Sequence, residues 1–519
     1  MSVYVKIEKN RYIDSLETLF ATTVLNDQPG IAVGYIGMCN STFRDVIADI
    51  GLMTEEIAAC TESDYVVVAD AESSEAFEKA VTEVNRNMET RDGGETSVEY
   101  DTTEVALKEH PEVNLVHIAV PGDCALEEAK KALNAGKHIC VFSNNVPFAD
   151  EREMKELARE KGLLCMGPDC GVANINGAAL VLSSITNRGP FGIVGASGTG
   201  IQHVAAIIHE AGSGVTQTIG VGGNDLKDPI GGISMLMGLE ALEKDPETKY
   251  IVVISRKPGE KTLPVVCEKL KSLTKPRVVL FMGCEREIVE ATGSVWAKNL
   301  DDCGVKALKL IGVDYDMGSE EELDAIAAKA IEGMAPEQKY LRGGYSGGTY
   351  MDEAMEAMYD EIGDVWSNCP LNPDYQLADS YRSVENTVID YGEEEFTLGR
   401  PHPAIDPSIR KPAVLREASD PEVAVICLDF ILTPPGHPDP AGYLVEDIKK
   451  AQQMARDRGG KLVFIASVLG TTADFQDIRV QEQELRDAGV IVLNSNARAA
   501  KLAGKIIRLK EERDHGRCK

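Results

Sequence analysis

The stretch that most constrains this chain is Phe191-Gly-Ile-Val-Gly-Ala-Ser-Gly-Thr-Gly200, with Ile201-Gln-His-Val-Ala-Ala-Ile-Ile-His-Glu-Ala-Gly212 behind it. The short apolar run reads as a buried parallel strand. Small residues from Gly195 to Gly200 then form a turn. Ile201, Val204, Ala205, Ile208 and Ala211 follow at helical spacing, and Gly212 is placed to close the helix. A strand, a Gly/Ser/Thr turn and a helix start aim unpaired N–H groups and the positive end of a helix dipole at one point. Glycines let a phosphate come close there, and hydroxyls add donors. Ala196, Ser197, Gly198 and Thr199 are therefore candidate phosphate-binding residues. The same pattern also serves as a tight turn before a packed helix, so structural context has to decide between the two.

The chain has 519 residues, enough for about three or four domains. With 53 Lys+Arg against 84 Asp+Glu, the net charge is −31. A field of that sign repels nucleic acid and anionic membranes, so neither is expected as a partner; a small anionic substrate needs local cations. No apolar run reaches the ~18 residues of a membrane span. The N-terminal Met-Ser-Val-Tyr-Val-Lys-Ile-Glu-Lys has no signal-peptide h-region, and a cytoplasmic location is expected. The 12 cysteines contain no CxxC pair, and Cys140, Cys267 and Cys427 sit in apolar runs. Reduced, buried thiols are the expectation. The eight histidines show no HxH or HExxH spacing, so no metal site is expected. No GxxxxGK[ST] loop occurs either, which argues against a P-loop.

Strand and helix patterns alternate along most of the chain, predicting an α/β fold with several doubly wound parallel-sheet units. Five regions follow: 1–110, an N-terminal α/β region with a polar loop at 90–97; 111–190; 191–335; 336–412, a connector of weak periodicity; and 413–519. In the third region, Gly220-Val-Gly-Gly-Asn-Asp-Leu-Lys-Asp-Pro-Ile-Gly-Gly232 lies at a strand's carboxyl end, where doubly wound sheets bind ligands. Gly222, Gly223, Asn224 and Asp225 are candidate substrate contacts, or parts of a surface loop. Ser255-Arg-Lys-Pro-Gly-Glu260 sets two cations at the next strand end. Arg256 is a candidate catalytic residue and Lys257 a substrate contact, or the two are a solvated pair. Ser346-Gly-Gly-Thr349 echoes the first turn, making Gly347, Gly348 and Thr349 a second candidate phosphate nest. In Gly399-Arg-Pro-His-Pro-Ala-Ile-Asp406, Arg400 and His402 are candidate substrate contacts, although the prolines equally suit a rigid turn. His437, before the helix starting near Pro440, is a second catalytic candidate or a structural loop histidine.

Met166-Gly-Pro-Asp-Cys-Gly171, then Gly192-Ile-Val-Gly-Ala-Ser-Gly-Thr, then Gly220-Val-Gly-Gly-Asn-Asp resemble the alpha subunit of succinyl-CoA synthetase and the ADP-forming acyl-CoA synthetases. Residues from about 415 onward resemble the C-terminal domain of that enzyme's beta subunit. Ser-Gly-Gly-Thr and Gly-Arg-Pro-His-Pro-Ala-Ile-Asp resemble the FdrA family, whose members join these pieces in one chain. The resemblance implies a Rossmann-like, CoA-binding-like unit at 111–190, followed by flavodoxin-like, succinyl-CoA-synthetase-like domains at 191–335 and 413–519. It also implies two "power helices" pointing at a shared phosphate site, the first after Ala196–Thr199 and the second after 433–442.

The chain departs from the ligases in places that bear on mechanism. Where they carry a phosphorylated histidine, this sequence reads Gly283-Cys-Glu-Arg-Glu-Ile-Val-Glu-Ala-Thr-Gly-Ser-Val-Trp296, without histidine. The glutamate that contacts it is replaced near Ser255-Arg256-Lys257. The ATP-grasp domain and the N-terminal CoA phosphate loop have no counterpart. The FdrA resemblance implies a carbamoyltransferase subunit of the oxamate carbamoyltransferase type in allantoin degradation, acting with two further protein subunits in an oligomer. It would cleave oxalurate with phosphate to oxamate and carbamoyl phosphate, with no tightly bound cofactor. Two alternatives stand beside it: an acyl-CoA synthetase-like ligase subunit that handles an acyl phosphate and takes CoA, and a non-catalytic scaffold.

Overall fold

The computed structural model describes residues 2–517 apart from 10, 12, 14, 62–63, 92–99 and 398–400. Most of the polar loop expected at 90–97, and Arg400, lie outside the described residues. The chain divides into two units: Met1–Tyr100 with Glu393–His402, and Asp101–Gly392 with Pro403–Lys519.

The first unit contains β1 (Ser2–Glu8), α1 (Ser15–Asn26), β2 (Ile31–Met38), α2 (Ser41–Asp49), α3 (Glu55–Ala58), β3 (Tyr65–Ala71) and α4 (Ser74–Arg91). β3 lies between β1 and β2 and runs antiparallel to both, so the sheet is a split βαβ rather than the parallel sheet that alternation suggested. The physical reason is visible in β3. Val67, Ala69 and Ala71 pack with Leu25, Phe77 and Val81 on one face; Val66 and Val68 pack with Phe43, Ile47 and Ile57 on the other. A strand covered on both faces is apolar throughout, whichever way its neighbours run, so its pattern does not encode direction.

The second unit opens with α5 (Thr103–Glu109), β4 (Leu115–Ile118), α6 (Gly122–Asn134), β5 (His138–Val141), α7 (Phe148–Lys161) and β6 (Cys165–Met166), whose strands make a parallel sheet in the order β4-β5-β6. A hairpin follows, β7 (Val172–Ile175) and β8 (Ala178–Val181). Its turn residues Asn176 and Gly177 have φ of 54° and 87°, the left-handed conformation a two-residue hairpin turn requires.

Next come β9 (Arg188–Gly195), α8 (Gly198–Glu210), β10 (Val215–Gly220), α9 (Ile233–Lys244), β11 (Tyr250–Arg256), α10 (Thr262–Ser272), β12 (Arg277–Met282), α11 (Arg286–Glu290), β13 (Val295–Trp296) and α12 (Leu300–Leu310). With the hairpin they form a sheet ordered β13-β12-β11-β9-β10-β7-β8, parallel apart from the hairpin edge. Past α13 (Glu320–Ala330) lie β14 (Tyr340–Tyr345), α14 (Gly348–Ile362), β15 (Trp366–Ser367) and β16 (Thr387–Asp390). The turn α15 (Glu394–Thr397) belongs to the first unit. The chain ends with α16 (Arg410–Ser419), β17 (Val423–Ile431), α17 (Pro440–Asp457), β18 (Val463–Leu469), α18 (Ile478–Asp487), β19 (Ile491–Leu493) and α19 (Asn496–Arg517). Their sheet is parallel throughout, in the order β15-β16-β14-β17-β18-β19.

The 336–412 stretch, expected as a connector, thus supplies β14, β15 and β16 to this sheet. β15 has two residues and β16 four, too few alternations to read as a period, and the six residues of β14 include an arginine and two glycines. In each large parallel sheet the order reverses beside a central strand. β9 has β10 on one side and β11 on the other; β14 has β16 and β17. Such a switch point opens a crevice at the strand's carboxyl end. β9 runs there into α8, and β14 into α14. One apolar cluster containing Phe191, Val204, Leu300, Tyr350, Met351 and Ile506 joins the two sheets.

Candidate functional site

α8 starts at Gly198, with Ser197 as its N-cap; the Ser197 Oγ accepts the Gly200 N–H at 2.9 Å. α14 starts at Gly348 after Gly347, which has no side chain to cap it. The two tips meet. Ser197 Oγ donates to Thr349 Oγ1 at 2.8 Å, and a Cβ on Gly347 would stand 2.9 Å from Thr199 Cγ2. Only glycine admits that approach.

The first N–H groups of a helix have no carbonyl four residues back. Here Ser197 takes those of Gly200 and Ile201, and the Gly347 carbonyl takes those of Tyr350 and Met351. Among the described residues, no protein group takes the N–H of Gly198, Thr199, Gly348 or Thr349. These four donors lie at the two facing tips, on half-buried residues. The Ala196 N–H is not a fifth: it bonds the Ile254 carbonyl at 3.0 Å.

The α14 turn is fixed from below. Both Asp429 carboxylate oxygens accept the Ser346 N–H at 3.0 Å, and one also accepts the Ser346 hydroxyl at 3.0 Å. The buried Arg410 guanidinium donates to the Gly344 and Asp429 carbonyls at 2.9 and 2.6 Å and pairs with the Asp429 carboxylate at 3.3 Å. Burial pushes the Asp429 carboxyl above its ordinary range although Arg410 and Ser346 oppose the shift.

Arg256, at the end of β11, pairs with Asp352 of α14. Its Nη2 lies 3.5 Å from where a Cβ on Gly348 would stand, and Asp390 Oδ2 lies 3.0 Å from the same point. The candidate cation therefore reaches the second tip, in a slot left by a missing side chain. Lys257 does not join it; its Nζ pairs with exposed Glu285 at 3.1 Å.

Beneath the tips a buried polar network bolts α8 to α14. His203 Nδ1 and the Tyr350 hydroxyl are 2.5 Å apart, and His203 Nε2 is 2.8 Å from Asp301 Oδ1. Asp301 accepts the Ser495 hydroxyl at 2.6 Å. Glu353 accepts from the Leu300 N–H at 3.1 Å and from Asn496 at 3.0 Å. Burial disfavours charge on His203, but the hydrogen bond and charge of Asp301 outweigh it and hold its pKa above the ordinary value. Burial, then the Asp301 charge, pushes Glu353 up to about 7.

Other candidates are placed elsewhere. Gly222 has φ 85° and sits against the Pro168 carbonyl. Gly223 is exposed, and the Asn224 carbonyl accepts the Lys227 N–H at 3.0 Å. Asp225 is committed inward: it accepts the Ser234 and Met235 N–H groups that start α9 and pairs with buried Lys155 at 2.8 Å. His437 accepts the Asp439 N–H on Nδ1 at 3.0 Å and lies 4.7 Å from the Tyr443 ring centre, a structural placement. His402 is half-buried in the first unit, where desolvation pushes it down to about 4. The helix after 433–442, expected to share the phosphate site, is α17, and Asp439 fills its tip by accepting the Gly442 N–H at 3.0 Å. The helix that meets α8 is α14.

Asp352, Asp390, Arg410 and Asp429 escaped sequence reasoning. One of them carried a signal: Asp429 is a carboxylate inside the otherwise apolar run of β17.

Residues 345–506 match the CoA-ligase family, and residues 1–104 match the family described as AllF, heavy metal-associated domain. The first of these begins at the second tip, well before the ~415 expected from the motifs. The chain is 39% identical to the uncharacterized protein YahF of Escherichia coli over 514 residues, covering 99% of this chain and 100% of YahF. The chain belongs to the YahF family. It is also 31% identical over 192 residues to SqwL, an ADP-forming sulfoacetate-CoA ligase subunit of Acholeplasma sp. A succinate–CoA ligase alpha subunit of Methanothermobacter thermautotrophicus is 29% identical over 157 residues. The matches span 63% and 52% of those two relatives. An ATP citrate lyase from Methanothrix soehngenii, solved with citrate and coenzyme A, aligns over 80% of this chain and 86% of its own at 14% identity, with a TM-score of 0.36.

These matches bear out the relation to succinyl-CoA synthetase. They overturn the expectation of a transferase: the family that covers the second tip is a CoA-ligase family, and the relatives with assigned reactions are ligase subunits. The glycine turns that carry the motif order are anion-binding features that either chemistry can use, so the motif order did not discriminate between them.

The N-terminal match to a heavy metal-associated family has no fitting donor set among the described residues. Among the described residues no group of three or more His, Cys, Asp and Glu side chains could hold a metal ion. The unit's thiols, Cys39 and Cys60, donate to the Ile57 and Glu56 carbonyls at 3.6 and 3.4 Å, and burial pushes Cys39 up. Among the described residues no helix is long and apolar enough to cross a membrane.

Proposed function

We propose that this chain is a CoA-ligase-like subunit that holds a phosphate or acyl phosphate between the N-termini of α8 and α14. One observation carries the reading: two glycine turns from different sheets, each at its sheet's switch point, close on each other through Ser197 and Thr349 at 2.8 Å. Each helix brings about half a positive charge to its N-terminus. The N–H groups of Gly198, Thr199, Gly348 and Thr349 add directional donors, and Arg256 adds a full charge beside the second tip. This is the equipment needed to take up charge on a phosphate as it leaves an acyl carbon under attack by a thiol. The loop 283–296 carries no histidine to bear the phosphoryl group, so the tips would hold the ligand's own phosphate.

The test is titration calorimetry of the intact protein with inorganic phosphate, acetyl phosphate and CoA. Phosphate and acetyl phosphate are expected to bind. The double variant Ser197→Ala/Thr349→Ala is expected to weaken both by about tenfold, from loss of the Thr349 hydroxyl contact to a charged ligand and of the Ser197 hydroxyl that holds the tips together. Equal phosphate affinity in wild type and double variant defeats the reading. CoA binding supports a ligase role for the chain itself, and its absence assigns the thiol substrate to another subunit.

A further inference from the structure

Resting on that phosphate reading, we propose that Asp352 is a built-in competitor for the anion at Arg256 and thereby restricts the site to dianionic oxyanions. Asp352 lies in the second turn of α14, and helix side chains lean back toward the N-terminus. Its carboxylate accordingly reaches toward the tip and takes the Arg256 guanidinium. The two partners differ sharply in setting: the Arg256 side chain is 63% exposed and Asp352 only 6%. Arg256 can therefore swing while Asp352 stays. Gly348 leaves the space through which Arg256 approaches the tip, with Asp390 Oδ2 on the same spot.

A free carboxylate meeting this site would exchange one monoanionic partner of Arg256 for another. It competes with a tethered group whose effective concentration is millimolar or higher. Such an exchange gains nothing from charge, and the nearby carboxylates repel the newcomer. A phosphate dianion differs in kind. It has enough oxygens to engage Arg256 and the four free N–H groups of the two tips together, and its second charge outweighs the lost Asp352 pair. Two carboxylates beside an anion site otherwise make little sense in a protein of net charge −31. As a filter they reject the carboxylate form of a substrate and admit its phosphorylated form.

The experiment measures inorganic phosphate and acetate affinity by calorimetry in wild type, Asp352→Asn, Arg256→Gln and the double variant, with thermal melts to verify folding. Asp352→Asn is expected to bind phosphate roughly two- to fivefold more tightly, the range of an ion pair whose Arg256 partner is exposed, and to gain measurable acetate binding. In the Arg256→Gln background the gain is expected to shrink to the relief of carboxylate repulsion alone. Unchanged or weaker phosphate binding in folded Asp352→Asn overturns the filter, as does a gain of undiminished size without Arg256. Should Asp352→Asn not fold, Asp352→Ser serves the same comparison. The two readings fail separately. Phosphate binding that needs Ser197 and Thr349 but ignores Asp352 sinks the filter alone, whereas no phosphate binding in either wild type or Asp352→Asn sinks the phosphate site and the filter together.

Discussion

The turn between β9 and α8 caps itself, whereas the turn between β14 and α14 is held by a carboxylate 83 residues further along the chain. In the first, Ser197 takes the Gly200 N–H, three residues away. In the second, Ser346 is tied to Asp429, and Asp429 to Arg410. The capping position itself is Gly347, because Thr199 occupies the space a side chain would need. A local cap forms with its own helix. A cap borrowed from β17 forms only when the sheet has assembled. The second tip is therefore the part of the site that depends on global folding.

Asp429→Ala tests this most severely. It leaves the Arg410 guanidinium buried without its partner and frees the Ser346 N–H, and should cost about 3–5 kcal/mol in denaturant unfolding. A loss below about 1 kcal/mol would mean that the second turn is self-supporting like the first.

The bolt between the helices should give a pH signature. Folded Glu353 keeps its proton up to about 7, whereas in the unfolded chain it is lost near the ordinary ~4.3. At this group the folded state then binds more protons across that window, so the Glu353 contribution to stability falls as pH rises from about 4.3 to 7 and levels off above it; His402, pushed down to about 4, acts in the opposite direction. His203, held above its ordinary ~6.5, acts in the same direction as Glu353 slightly higher: its contribution is complete below that value and lost as pH rises through the folded pKa. Glu353→Gln should remove the Glu353 contribution, changing the wild-type minus variant difference by on the order of 2–3 kcal/mol in melts between pH 5 and 8. Wild-type and Glu353→Gln curves that run parallel over that range contradict the network's charge arrangement.

The smallest effect is expected at the first tip. Ser197→Ala removes one cap and should cost about 1 kcal/mol in unfolding free energy. A double-mutant cycle with Thr349→Ala should show coupling of roughly 0.5–1.5 kcal/mol, the worth of one hydrogen bond. Zero coupling would mean that the tips do not touch in solution.

Much of the second unit could be read from the chain. The two glycine turns, the alternation of strand and helix, and Arg256 at a strand end all showed in local residue order. Other features did not. β15 has two residues, too few for a period, and β3 is apolar on both faces, so its antiparallel pairing left no mark. The tip expected to face α8 belonged to α17, because 433–442 has the same Gly/Pro grammar as a ligand turn; only the structure shows Asp439 filling it. Asp225 resembled a ligand group for the same reason and proved to be an inward partner of Lys155.

The sequence alone determined that Gly195–Gly200 is a strand-to-helix turn and that Ser346–Thr349 is a turn of the same chemistry, because turn chemistry and helix starts are set by neighbours a few residues apart. The tertiary structure decided that these turns face each other, that Arg256 pairs with Asp352 beside the second tip, and that a histidine bolts the two helices together. Those are distances between residues 96 to 152 positions apart, set by the order of strands in two sheets and the core between them. No local pattern carries such information, since the chain can reach one pairing of turns or another with the same local propensities.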